Sequence, residues 1–382
     1  MVNMTVRELQ EQGRILVEDG NHGEQRPRPD EFVDEGHAFI RAADMTTGVV
    51  DFRKASRISA TARARIRKGI GAPGDVLLSH KGTVGKVARV PMDAPAFVCS
   101  PQTTFYRSLD PTVLDQMYLY YFLQSQMFQG QLASRQGETD MAPYVSLTAQ
   151  RQLLIDLRPV AEQRAIAGTL EALDELVANL ANTQRHLDAL AAAVFTRAAG
   201  SNLRRVDEVA KVMMGQSPPG STYNEVGTGL PFHQGIRDFG DRYPTTRVYC
   251  SEPSRVAGAG DLLLAVRAPI GTTNIAVDST AFGRGLAALR SPEPSTLLQA
   301  MHVDRKLWTR FEGDGTVFAS ISREQIGSQR IPWPTESIEH LLATLDEMHL
   351  QCWTEERRLR ATRDELLPLL MSGKVSPGEV AA

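Results

Sequence analysis

Cations are the densest chemistry in the chain. Residues 52–90 hold ten of them (Arg53, Lys54, Arg57, Arg63, Arg65, Arg67, Lys68, Lys81, Lys86 and Arg89) against one acid, Asp75. Guanidinium and ammonium groups gathered in this way can follow a phosphate backbone, with Lys81 and its neighbours near base edges. The same block also fits a solvated face with an amphipathic helix over residues 59–68. Both readings stand at this point.

The patterns that would signal an enzyme each lack an essential part. GIGAPG at 69–74 has the spelling GxGxxG. A dinucleotide loop must follow a strand and open a helix, whereas Pro73 and Gly74 lead into the strand-like DVLLS, so a turn is expected. FEGDG at 311–315 resembles the glycine loop of methyl donor-dependent methyltransferases. Its partner, an Asn or Asp with two prolines and an aromatic residue that holds the target amino group, is missing. Ser217-Pro-Pro-Gly220 is the nearest approach, and a surface turn is expected at 311–315. There is no GxxxxGK[ST], HExxH or GxSxG. The eight histidines have no metal-ligand spacing, and His22 and His80 read as polar surface or core residues. Cys99, Cys250 and Cys352 are too far apart for a disulfide framework or a zinc knuckle. No catalytic or metal-binding residue is expected.

The elements that must position the cations come in two sets. At 382 residues the chain is long enough for two or three domains. A net charge of −3 gives no general attraction to nucleic acid, so the local distribution of charge decides. The N-terminal residues lack a signal peptide's apolar run, and no apolar stretch is long enough to span a bilayer. A reducing, cytoplasmic setting without membrane contact is expected.

The chain repeats itself. GDVLLSHKGTVGKVARV at 74–90 returns as GDLLLAVRAPIGTTNIAV at 260–277. Gly74, Asp75, Leu77, Leu78 and Gly85 match Gly260, Asp261, Leu263, Leu264 and Gly271 at a constant offset of 186, and Lys81 matches Arg267. Upstream, GHAFIRAADM at 36–45 resembles GLPFHQGIRDF at 229–239. Downstream, YVSLTAQRQLLIDLRP at 144–159 resembles FASISREQIGSQRIPWP at 318–334. Three blocks in one order indicate a duplication.

A long helical pattern closes each repeat. Ile166, Leu170, Leu173, Val177, Leu180 and Leu187 step by threes and fours in the first; Ile338, Leu341, Leu345, Met348, Leu359 and Leu366 do so in the second. A period near 3.5 predicts a coiled-coil seam. Pro159 and Pro334 precede the helices, and Thr335 suits an N-cap. Each helix should run about 33 residues, roughly 50 Å. An antiparallel pair would hold the two halves at opposite ends of a rod. The expected architecture is α+β: a globular domain at 1–158, a spacer helix at 159–200, a second domain at 201–333, and a distal helix with tail at 334–382. Strands are expected at 76–79, 87–90, 262–266 and 274–277, and a helix over 114–134.

These residues resemble the specificity subunits of type I restriction–modification enzymes. Four features carry the resemblance: Asp19-Gly-Asn-His-Gly23 followed by Gly36-His-Ala-Phe-Ile-Arg41 and Asp44; Gly215-Gln-Ser-Pro-Pro-Gly220 with Tyr223-Asn224 and Gly229-Leu-Pro-Phe-His-Gln-Gly235; the Gly-Asp block of both halves; and Tyr144-Val-Ser-Leu147 running into Arg158-Pro-Val-Ala-Glu-Gln163. The second helix start, Ile331-Pro-Trp-Pro-Thr-Glu-Ser, lacks the Glu-Gln of the first.

The resemblance implies a non-catalytic subunit. Two target recognition domains would each read one half of a split site in double-stranded DNA, and the helices would dock two methyltransferase subunits. S-adenosylmethionine, and ATP with magnesium, would belong to partner subunits, with a motor-nuclease subunit as a further partner. The target adenine would be flipped out for methylation. The DNA-contacting set would be Arg41, Lys54, Arg57, Arg63, Arg65, Arg67, Lys68, His80, Lys81 and Lys86 in the first half. In the second half it would be Arg237, Arg242 and Arg267, among Asp238, Asp241, Glu252 and Asp261. Gln102, Gln216 and Gln234 are candidates for base contacts. The alternatives are a protein-binding scaffold, or a fused methyltransferase using 311–315.

Overall fold

The computed structural model describes residues 2–46, 48–136, 143–200, 202–303, 306–311 and 320–380. It divides into two units, Met1–Ala178 with Arg357–Ala382, and Asn179–Glu356. The division falls inside both long helices, Val160–Ala198 and Glu336–Ser372. Expected and observed partitions therefore differ: each unit takes a globular domain together with parts of two helices.

The first unit is built on two sheets. A six-stranded sheet runs Ile15–Asp19, Thr103–Ser108, Val76–Ser79, Val87–Arg89, Val49–Val50 and Met45–Thr46. Val76–Ser79 is buried at all four positions, as suits an unbroken apolar run with both faces covered. A smaller sheet orders Phe32–Val33, Ser56–Ile58, His37–Ile40, Phe97–Cys99 and Ile70–Gly71. The expected helix over 114–134 is two helices, Gln116–Gln124 and Gln126–Ala133, broken at Ser125. Tyr106, Tyr118, Tyr121, Phe122 and Phe128 fill the core beside them. The GIGAPG stretch is not a dinucleotide loop: Ile70–Gly71 is a short strand and the expected turn is confined to Pro73–Gly74, with Gly69 and Gly74 at φ of +67° and +81°, where glycine pays no side-chain penalty.

The second unit repeats the plan with fewer strands. Lys211–Met214, Leu286–Arg290, Leu262–Ala265 and Thr273–Ile275 form the main sheet. Tyr223–Asn224, Tyr249–Cys250, Leu230–His233, Thr280–Phe282 and Val256–Ala257 form the smaller one. The duplication extends to single hydrogen bonds. Gly85 N donates to Ser79 O as Gly271 N does to Ala265 O, and Val145 N donates to His80 O as Ile321 N does to Val266 O. Isolated bridges join Lys81 to Tyr144 and Arg267 to Ser320.

The helices contain 39 and 37 residues, or about 55–60 Å at 1.5 Å per residue, longer than the repeat pattern predicts. They pair antiparallel within each unit. In the first, the Arg363 Nε lies 3.2 Å from Asp174 and the Arg158 Nη1 donates to Leu370 O at 3.2 Å. In the second, the Gln184 amide donates to Glu356 at 2.6 Å and His349 Nε2 lies 3.3 Å from Asp188.

Ile166, Leu170, Val177, Leu187 and Leu345 are buried as expected, and Leu173, Leu180, Ile338, Leu359 and Leu366 are half-buried. Leu341 and Met348 are not in the seam; they are 42% and 47% exposed, and Leu342 and His349 are buried instead. The inward face of the distal helix includes His349, Glu356 and Arg363, whose polarity hides them from a search for apolar residues.

Candidate nucleic-acid interface

The smaller sheet of each unit ends in a polar side chain at the same place. In the first unit His37–Ile40 lies between Ser56–Ile58 and Phe97–Cys99, parallel to the latter. Its last carbonyl, Ile40 O, accepts from Ser100 N at 2.8 Å. Arg41 follows and is exposed. Asp44 accepts from the Arg41 backbone at 2.8 Å, and the Arg41 Nη2 donates to Ser56 Oγ at 2.7 Å. In the second unit, Leu230–His233 lies between Tyr249–Cys250 and Thr280–Phe282. Its last carbonyl, His233 O, accepts from Gly283 N at 2.9 Å. Gln234 follows, exposed, with its amide donating to Ser217 Oγ at 2.8 Å.

Aromatic pairs lie beside both positions. Phe32 meets Phe39 edge-on at 5.6 Å, and Tyr223 stacks on Phe232 at 4.6 Å. The pairs occupy matching rungs: Phe32 faces Ile58 and Tyr223 faces Cys250 across the ladder. Around Gln234 the surface is a cleft of about 530 Å³ lined by Ser217, Tyr223, Phe232, Arg247 and Arg284. Arg247 is neutralised by Glu225 and Asp238, each at 3.2 Å. Arg284 is exposed, with its backbone N–H on Ser217 Oγ at 3.2 Å. The cleft thus offers hydrogen-bonding groups, an aromatic wall and a cation, the functions needed to contact bases and phosphates.

The other expected contacts divide by environment. Lys54, Arg67, Lys81, Gln102, Gln216, Arg237 and Arg267 are exposed. Lys81 lies 5.9 Å from the Tyr144 ring centroid. Lys68 and Lys86 are exposed but reach protein oxygens, Asp19 at 3.4 Å and Ala42 O at 3.3 Å. Arg57 and Arg63 are half-buried, and Arg57 donates to Gly36 O.

Three residues are engaged by protein partners. Arg65 grips Glu31 with both Nη atoms at 2.6 Å, which holds the Glu31 carboxyl down at about 2. Arg242 is buried between Asp188 and Asp346. His80 is 1% exposed and bonded to Thr104, with burial pushing its pKa down to about 4. All three side chains are held by protein groups in this structure. Counting charge could not find their partners, which are 34, 54 and 24 residues away respectively.

The equivalence of Arg41 and Gln234 was within reach of the sequence, because Gly36 and Gly229 align the two blocks. The Ser217 tether and the aromatic pairs depend on pairing between distant strands and had no local signal. Residues 312–315 of the FEGDG stretch lie outside the described residues. Among the described residues no cluster of His, Cys, Asp or Glu could hold a metal ion, and no helix is long and apolar enough to cross a membrane.

No family model matches the chain. Among curated proteins, it is 26% identical over 381 residues to a Methanocaldococcus jannaschii protein assigned as the type I restriction enzyme MjaX specificity subunit, covering 89% of this chain and 87% of that one. Among solved structures, the type I restriction–modification S subunit from M. genitalium aligns with a TM-score of 0.60 at 19% identity, over 97% of this chain and 95% of that chain. That likeness is one of fold. The HsdS subunit from Thermoanaerobacter tengcongensis aligns at 29% identity and a TM-score of 0.37, over 99% and 97% of the two chains. Over 89% of its length the chain is similar to a type I restriction specificity subunit, as its motifs imply.

Proposed function

We propose that the chain is the DNA-recognition subunit of a type I restriction–modification enzyme. Each repeat reads one half of a split duplex site, and the helices carry surface for two methyltransferase subunits. The chain contributes no catalytic group. S-adenosylmethionine binds to the methyltransferases; ATP and magnesium belong to a motor-nuclease subunit where one assembles. The complex works on DNA in the cytoplasm.

One observation supports this reading most directly. Two copies of the same small sheet present different exposed hydrogen-bonding side chains, Arg41 and Gln234, at one backbone position. A protein that recognises two unlike half-sites needs a common frame with different contacts, and arginine suits guanine as glutamine suits adenine. The similarity to the M. jannaschii specificity subunit supplies the setting.

The test is to co-express the chain with the methyltransferase encoded beside it and to map methylation in cellular DNA. A split motif with a methylated adenine in each half is the expected result. A stable complex that leaves DNA unmethylated would move the assignment to a protein-binding scaffold.

A further inference from the structure

We infer that Arg41 and Gln234 are the corresponding specificity-determining residues of the two repeats, with Arg41 reading guanine and Gln234 reading adenine. This rests on the DNA-recognition reading above and adds to it the identity of two readers and of their bases.

The two positions are equivalent by register. Ile40 O and His233 O accept from Ser100 N and Gly283 N, which begin matching turns: Thr103 N returns to Ser100 O as Leu286 N returns to Gly283 O. The next side chain leaves the sheet at the same point in each repeat. Both side chains are exposed, so both can meet a groove without rearrangement of the core.

Both are also held. The Arg41 Nη2 donates to Ser56 Oγ and the Gln234 amide to Ser217 Oγ, at 2.7 and 2.8 Å. The Ser56 bond restrains one Nη of Arg41, whereas the Ser217 hydroxyl spans both ends of the Gln234 amide, Nε2 at 2.8 Å and Oε1 at 3.1 Å, and fixes the amide's orientation before DNA arrives. Guanidinium carries five N–H donors, so Arg41 keeps a pair for guanine O6 and N7 after its bond to Ser56. In Gln234 the N–H for adenine N7 and the Oε1 lone pair for the adenine amino group are the pair that Ser217 holds, so adenine takes the place of the Ser217 hydroxyl on the amide. Tyr223 and Phe232 wall the cleft at Gln234, and Phe32 and Phe39 hold the matching rungs in the first repeat.

The experiment compares the wild-type chain with Arg41→Gln, Gln234→Arg and Arg41→Lys, each co-expressed with the methyltransferase and read by methylation sequencing. Purified complexes are selected in parallel against a randomised duplex library. Arg41→Gln should change one position of one half-site from guanine to adenine, and Gln234→Arg should change one position of the other from adenine to guanine. Each preference should move by about tenfold or more, with the opposite half unchanged. Arg41→Lys should keep guanine with weaker discrimination. Retention of the wild-type motif by both swaps would overturn the inference, as would loss of methylation with no new base selected from the library. If the wild-type complex itself selects no split motif, it is the DNA-recognition reading that fails.

Discussion

Asp75 accepts two hydrogen bonds from the guanidinium of Arg107, Nε to Oδ1 at 2.6 Å and Nη2 to Oδ2 at 2.7 Å. Asp261 and Arg290 form the same fork, at 2.9 and 2.7 Å. Each carboxylate also accepts a backbone N–H from three residues upstream, Ala72 or Gly258. The repeated Gly-Asp motif is therefore an anchor for the buried strand after it. Burial alone would push the Asp75 carboxyl up, and Arg107 opposes that.

The two forks should differ in strength. The Arg107 side chain is 29% exposed and that of Arg290 is 59% exposed. Removing Arg107 leaves a fully buried carboxylate, so Arg107→Met should cost about 3 kcal/mol. Arg290→Met also leaves a buried carboxylate, Asp261 at 5% exposure, but loses a more solvated partner, so it should cost less, about 2 kcal/mol. Amide exchange of Val76–Ser79 and Leu262–Ala265 measures the two separately. Equal loss of protection would contradict the ranking.

Gly20 and Gly215 hold one position in the two repeats, and neither has room for a side chain. A Cβ on Gly20 would lie 2.2 Å from the carbonyl oxygens of Cys99 and Ser100; on Gly215 it would lie 2.1 Å from Gly283 O. These are backbone atoms that cannot swing away. Either Gly→Ala change should destabilise its unit by about 2 kcal/mol or more. Gly168→Ala, in the helix Val160–Ala198 with nothing within 4 Å, should instead stabilise by up to about 1 kcal/mol. Thermal unfolding of the three variants gives the comparison.

His80 makes the first unit sensitive to acid. Its pKa is pushed down to about 4 by burial, from an ordinary 6.5. Between those values the unfolded chain binds the extra proton, so stability is complete above about pH 6.5 and falls as pH drops toward 4. From pH 7 to pH 5 this one group should remove about 2 kcal/mol. Denaturant unfolding at the two pH values should show that much less acid sensitivity in His80→Asn. An unchanged pH dependence would remove His80 from this role.

Arg242 and Arg267 are both cations of the second repeat with opposite expected behaviour. Arg242→Met should cost about 3 kcal/mol of stability, since Asp188 and Asp346 lose their shared partner. It should leave the salt dependence of DNA binding unchanged. Arg267→Ala, like Lys81→Ala at the matching exposed position, should change stability by less than about 0.5 kcal/mol. If these two meet phosphates, each change reduces the slope of log affinity against log salt by about 0.9. Titration of duplex DNA at several salt concentrations separates the roles.

The main strands were legible because their signal is local. Val76–Ser79 and Leu262–Ala265 are short apolar runs bounded by glycine, and their recurrence marks the duplication in the residues themselves. The smaller sheets were not legible. Phe32–Val33, Ile70–Gly71 and Tyr223–Asn224 are two-residue strands that exist only through partners tens of residues away. The distal helix shows a different limit. An apolar stripe through Leu341 and Met348 satisfies the period, yet Leu342 and His349 are the buried residues. A histidine that finds Asp188 and Tyr243 inside gives no apolar signal. Arg65 and Arg242 show the same limit for charge: composition counts cations without revealing which have already found partners within the protein.

The first unit is assembled from two separated stretches of chain. Leu367, Leu370 and Met371 belong to its buried core, and Arg158 donates to the carbonyls of Leu370 and Met371. Asn179–Glu356 is contiguous. On the ribosome, the second repeat can therefore close as soon as it emerges. The first, although made earlier, completes its core only once the distal segment has been translated, roughly 10–40 s later at ordinary elongation rates. Maturation runs opposite to synthesis, and during that interval the apolar surface that Leu367, Leu370 and Met371 will cover is open to chaperones, proteases and other nascent chains.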